Sequence, residues 1–150
     1  MPYDSLQVAN AFLELADSDS AKLTNMQLQK LVYFAQGFSL ALEERPLTYH
    51  NIHAWQWGPV LPKVYKEFEE FKGSPIDRKA VTVSPPVPPD SNEASIIKAV
   101  WNGYGAMTGG QLSAITHKPG SPWTLTWGAK PYSVISSERM MNYFKQQINA

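Results

Sequence analysis

Helix starts are spelled out in this chain more clearly than any other structural signal. Thr24-Asn-Met-Gln27 and Thr108-Gly-Gly-Gln111 both fit the capping box. In that motif the first side chain and the fourth satisfy each other's backbone donors. Asp90-Ser-Asn-Glu93 is a close variant and Asp4-Ser-Leu-Gln7 a weaker one. Gly58-Pro59 and Ser121-Pro122 place proline where a first helical residue needs no donor. Behind these starts the apolar residues recur at helical spacing. Val8, Phe12, Leu15 and Ala16 follow Asp4. Leu28, Leu31, Val32, Ala35, Phe38 and Leu42 follow Thr24, and Tyr33, Phe34 and Leu40 widen that stripe. A helix apolar around so much of its girth is expected at the centre of the fold.

Further stripes run through Leu61, Val64, Tyr65, Phe68 and Phe71 after Pro59, then through Ile96, Ile97, Val100, Trp101 and Tyr104. Shorter segments lie around Leu112 and Ile115 and from Pro122. A last one starts near Ser136 and carries Met140, Met141, Phe144 and Ile148. Strand signals are confined to Ile52–Trp57, Val81–Val83 and Tyr132–Ile135. The expected architecture is mainly α: one compact domain over residues 1–150, about six or seven helices, and a small two- or three-stranded sheet. Leu31, Phe34, Phe38, Val64, Phe68, Val100 and Phe144 are its expected core. Residues 72–89, with six prolines and glycines from Gly73 to Pro89, read as an irregular loop, because proline at that density resists helix and central strand alike.

Thirteen basic and thirteen acidic residues cancel, which speaks against attachment to nucleic acid by counterion release or to a membrane by a polybasic patch. No apolar run reaches the roughly 20 residues of a membrane span. The start Met1-Pro2-Tyr3-Asp4 lacks the basic and apolar regions of a signal peptide. There is no cysteine, so disulfides, thiolate metal sites and a thiol nucleophile are excluded. A cytoplasmic location is expected.

No catalytic constellation emerges. His50 and His53 flank a strand signal, where their spacing points the rings to opposite faces, and no third ligand is near. Gly37-Phe-Ser39 lacks the second glycine of a nucleophile elbow and sits inside a helical pattern. Gly103-Tyr-Gly105 with Gly109-Gly110 resembles a phosphate loop, but Thr108 stands where a third glycine would fall; a helix end followed by a cap explains the pattern. No catalytic residue, metal or cofactor is expected. Two clusters are richer. Ala54-Trp-Gln-Trp57-Gly58-Pro59-Val60 reads as a strand with two same-face tryptophans running into a proline-started helix. His117-Lys-Pro-Gly-Ser-Pro122-Trp123 reads as a rigid turn between short helices. These rings are either core or anchors for a partner, where tryptophan and tyrosine are favoured.

Three segments, LTNMQLQKLVYFAQGFSLAL, AWQWGPVLPKVYKEF and LSAITHKPGSPW, resemble, in order, the Panacea domain of phage-associated proteins and SocA-like antitoxins. The resemblance spans roughly Leu23 to Trp123. It implies a non-enzymatic antitoxin that neutralises a cognate toxin by direct binding, with delivery of the toxin to an ATP-dependent protease as one form of that role. The expected partner surface comprises Trp55, Trp57, Pro59, Val60, Tyr65, His117 and Trp123, because two proline-stiffened turns present large rings at low entropic cost. Two other readings stay open: a small hydrolase or nucleotide-binding enzyme using His117 and the Gly103–Gly110 region, and a phage-encoded protein that binds a host component.

Overall fold

The signals at Asp4, Thr24, Thr108 and Ser121 each start a helix at the next residue. A computed structural model describes residues 2–79 and 85–149. Its elements run α1 (Ser5–Ser18), α2 (Asn25–Glu43), β1 (His53–Trp55), β2 (Gly58–Val60), α3 (Pro62–Glu67), a 3₁₀ turn (Glu69–Phe71), α4 (Asn92–Tyr104), α5 (Gly109–Thr116), α6 (Pro122–Ala129) and α7 (Ser137–Asn149). The fold is mainly α, with seven helices and one antiparallel two-stranded sheet among the described residues.

Capping chemistry explains the helix starts and one displacement. Asp4 accepts from Leu6 N–H while the Gln7 side chain accepts from Asp4 N–H, so the weakest-looking box is fully formed. Thr24 with Gln27 and Thr108 with Gln111 form the same reciprocal pair. In the Asp90 motif the cap moves one residue on. Ser91 accepts from Ala94 N–H, and Glu93 turns away to pair with Arg45 at 3.2 Å.

α2 is the axis of the domain. Thirteen of its nineteen residues are buried, and α1, α3, α4, α5, α7 and β2 all pack against it. Leu31 and Phe34 lie in this core with Val64, Phe68, Val100 and Phe144. Phe38 is only half-buried, a correction to its expected place, because it sits toward the open groove between α2 and α4. An aromatic cluster ties α2 to α4 and α7. Phe34 stacks on Tyr104 at 4.4 Å between centroids, and Phe38 meets Phe144 edge-on at 5.0 Å.

Buried polar side chains on α2 pin the chain around it. Gln36 accepts from the N–H groups of Leu47 and Thr48 at 2.8 and 3.0 Å. Gln29 accepts from Leu61 N–H at 2.8 Å and donates to Asn25, whose own amide donates to the Tyr65 carbonyl. Ser39 donates to the Arg45 carbonyl. These bonds fix where the loop after α2 travels, where β2 ends and where α3 sits.

The region before α3 departs from the sequence expectation. The strand stops at Trp55, and Gln56–Trp57 form a two-residue turn into β2, with Trp55 opposite Gly58, Ala54 opposite Pro59 and His53 opposite Val60. Pro59 lies in an edge strand, where its missing N–H is tolerated, and the helix starts instead at Pro62. Residues 132–135 add to the other side of β1 through Ala54 N–H to Ser133, Tyr132 N–H to Ala54 and Ile135 N–H to Ile52, close to the expected third strand. The Val81–Val83 strand signal lies outside the described residues. On either side of it the irregular stretch is pinned: Ile76 N–H donates to the Leu23 carbonyl, and Val87 is buried.

Gly37 marks the closest approach of α7 to α2. A Cβ there would lie 2.2 Å from the Phe144 ring, and that ring is wedged among Tyr33, Phe34 and Phe38. Alanine gains about 1 kcal/mol of helix propensity over glycine, but overpacking of about 1–3 kcal/mol opposes it. Gly37→Ala is therefore expected to lower the thermal midpoint; a midpoint equal to or above wild type would show that the helices separate freely.

Candidate functional site

A ladder of rings leads from the interior to the surface beside the β1–β2 hairpin. His117, which follows α5, stacks on Trp123 of α6 with centroids 3.9 Å apart and planes 6° from parallel. Trp123 stacks in turn on Trp127 at 5.8 Å, and Trp127 meets exposed Tyr132 edge-on at 5.1 Å. The Trp123 indole N–H donates to the Trp55 carbonyl at 2.7 Å, fastening α6 to the hairpin. Ser121 makes this possible: it caps α6 through Thr124 N–H and donates back to the Thr116 carbonyl, joining α5 and α6 rigidly.

The residues expected at a partner surface separate by depth. Trp57 is 66% exposed at the hairpin tip. Trp55 and Tyr65 are half-buried and meet edge-on at 5.2 Å, and His117 is half-buried as well. Pro59, Val60 and Trp123 are buried and back the hairpin. Trp55 and Trp57 do not share a strand face, contrary to expectation, because the chain turns between them. Sequence reasoning missed Tyr132, which the turn after α6 carries to the same ladder at a left-handed φ of 65°.

It also missed Lys30. This lysine lies within α2 with its side chain fully buried and, among the described residues, its Nζ without a hydrogen-bond partner. Burial lowers its pKa to about 8. Its tip lies under the hairpin: a Cβ on Gly58 would stand 3.3 Å from Lys30 Cε, 3.5 Å from Nζ and 3.5 Å from Thr116 Oγ1. Gly58 has φ +130°, a conformation side-chain-bearing residues rarely adopt. The His117 pKa is lowered by burial and by the Lys30 charge, while a hydrogen bond to the Trp57 backbone works in the other direction. His117 Nε2 is buried without a hydrogen-bond partner among the described residues.

The other histidines serve structure. His50 Nδ1 accepts from Ser5 N–H at 3.1 Å and lies 3.8 Å from Asp4. Burial works to raise the Asp4 pKa, but the hydrogen bond from Lys63, the Leu6 N–H and the nearby charges together hold it below the usual carboxylate range. Among the described residues no three His, Asp or Glu side chains gather as metal ligands. In the glycine-rich region, Gly103 lies in the last turn of α4, and the Thr108 and Gln111 N–H groups are taken by the cap. Among the described residues no helix is long and apolar enough to cross a membrane.

Residues 28–124 match the family described as antitoxin SocA-like, Panacea domain. The chain belongs to this family. It is 36% identical over 130 residues to antitoxin SocA of Caulobacter vibrioides (strain NA1000 / CB15N), covering 80% of this chain and 68% of that protein. No solved structure matches. The Panacea match takes in α2, the hairpin, α5 and the start of α6, and so contains Lys30, Trp57, His117 and Trp123.

The buried lysine of this Panacea domain makes stability depend on pH in a stated direction. Lys30 holds its proton up to about pH 8 in the folded chain and up to about 10.4 when unfolded. Between those values the unfolded chain binds more protons, so the Lys30 contribution to stability rises with pH, by about 3 kcal/mol in all. Urea denaturation from pH 7 to 10.5 on wild type and Lys30→Met reads this as a difference curve. The wild-type deficit relative to the variant should shrink as pH rises; a constant difference would mean that Lys30 is already paired or neutral at pH 7.

Proposed function

We propose that this protein is an antitoxin that neutralises a cognate toxin by direct, stoichiometric binding, without catalysis of its own. Its membership in the SocA-like antitoxin family carries the reading. The contact surface proposed is the hairpin tip and its flank: Trp57 at the centre, Trp55 and Tyr65 beside it, and His117 beneath, with Pro59, Val60 and Trp123 as the rigid support. A tryptophan that leaves two-thirds of its surface in water, next to a strand end fastened at Trp55, is suited to act as a binding anchor. Delivery of the bound toxin to an ATP-dependent protease is proposed as the form this neutralisation takes.

The test is co-expression with the reading frame adjacent to the gene, scored for growth rescue and co-purification, alongside the thermal midpoint of each variant. Trp57→Ala is expected to lose rescue at an unchanged midpoint, since its ring is exposed. Trp123→Ala is expected to lose rescue through folding, with about 3–5 kcal/mol of stability removed with the buried ring. Rescue by Trp57→Ala at wild-type level would move the contact surface away from the hairpin. Toxin levels followed in cells with and without each ATP-dependent protease test the delivery step.

A further inference from the structure

Lys30 has no counter-charge among the described residues: its Nζ makes no hydrogen bond there and no acidic group contributes to its electrostatics. The other buried polar side chains of α2 (Asn25, Gln29, Gln36 and Ser39) all hold backbone or one another. Lys30 pins nothing. An unpaired buried cation is strongly destabilising, and a methionine of similar length would fill the same space without a charge. The residues placed at the ammonium supply a second basic group and no acid: His117 and Thr116 come from the end of α5, and Gly58 from β2. The Thr116 hydroxyl donates to the Ser113 carbonyl, so it presents lone pairs to the site.

The backbone at Gly58 lies against the ammonium, since a Cβ there would stand 3.5 Å from Nζ, and the two preceding residues, Gln56 and Trp57, are exposed. We propose that Lys30 is the receiving cation for one carboxylate of the protein partner, an aspartate or glutamate side chain admitted when the Gln56–Trp57 turn swings off Lys30. The proposal rests on the antitoxin reading above and names what the partner must carry. A carboxylate is the anion an unmodified protein presents, and one ammonium under one turn suits a single such group. Engagement of Trp57 by the partner pulls on the same turn. His117 Nε2, buried without a partner among the described residues, becomes a second donor to the same carboxylate once it takes up a proton.

Two measurements test this. In the first, wild type and Lys30→Met are compared for thermal midpoint and for affinity toward the purified partner. The expected result is a midpoint equal to or above wild type with affinity reduced at least tenfold. A single Asp→Asn or Glu→Gln change in the partner should then cause a similar loss that is not additive with Lys30→Met. In the second, the Lys30 side-chain signal is followed by NMR across a pH titration of the free protein and of its complex with the partner. The Lys30 pKa should be higher in the complex than in the free protein, and this arm needs no variant. Unchanged affinity in a folded Lys30→Met protein overturns the inference while leaving the antitoxin reading intact. A Lys30 pKa that the partner leaves unchanged also overturns it. A wild-type protein that binds no partner overturns both.

Discussion

The buried polar side chains of α2 are the constraint on which the rest of this domain depends. Gln36 holds the chain leaving the helix at Leu47 and Thr48, Gln29 holds the end of β2 at Leu61, and Asn25 holds α3 at Tyr65. Each bond satisfies a backbone group that would otherwise be buried without water, at a penalty of about 1–3 kcal/mol. The apolar stripe of α2 collects its neighbours without direction; the amides choose where non-helical chain may cross them. That choice places the hairpin over the middle of α2, and so puts Gly58 above Lys30.

The same placement makes the hairpin stiff at its base and free at its tip. Trp55 is held through its carbonyl by the Trp123 indole, and Ala54 is held from the far side by residues 132–133. Trp57, two residues on, has its ring in solvent. The stack His117–Trp123–Trp127 gives that base flat, closely spaced support. The base is thus ordered by folding, which lowers the entropic cost of binding there, while the Gln56–Trp57 tip keeps room to move.

What was legible in the sequence was what is decided locally. A capping box is complete within four residues, so the starts of α1, α2 and α5 could be read directly, as could the central position of α2 from its wide apolar girth. The hairpin could not, because Trp-Gly-Pro-Val is equally a strand running into a proline-started helix until something distant decides. Gln29 decides it: by accepting from Leu61 N–H it holds Leu61 extended, and the helix waits for Pro62. Ser91 displaced Asp90 as a cap once Glu93 found Arg45, 48 residues earlier in the chain. Lys30 was hidden for the opposite reason. Within Leu28-Gln-Lys-Leu31-Val32 a lysine reads as the solvent side of an amphipathic helix, and only a hairpin packed on that side reveals that there is no solvent there.

That concealment bears on why the domain tolerates a charge in its centre. A hydrophobic residue at position 30 would satisfy every packing demand that α2, β2 and α5 make, and stability alone favours that exchange. The neighbouring amides show that α2 pairs its buried polar groups where pairing serves the fold. A cation without a partner among the described residues, in the same helix, against the backbone of Gly58 and near an imidazole nitrogen equally without one, is therefore not explained by the fold's own needs. Strain and unmet polar groups persist where function over-rides stability. In this domain both converge on the few residues beneath Trp57, the ring the protein exposes most.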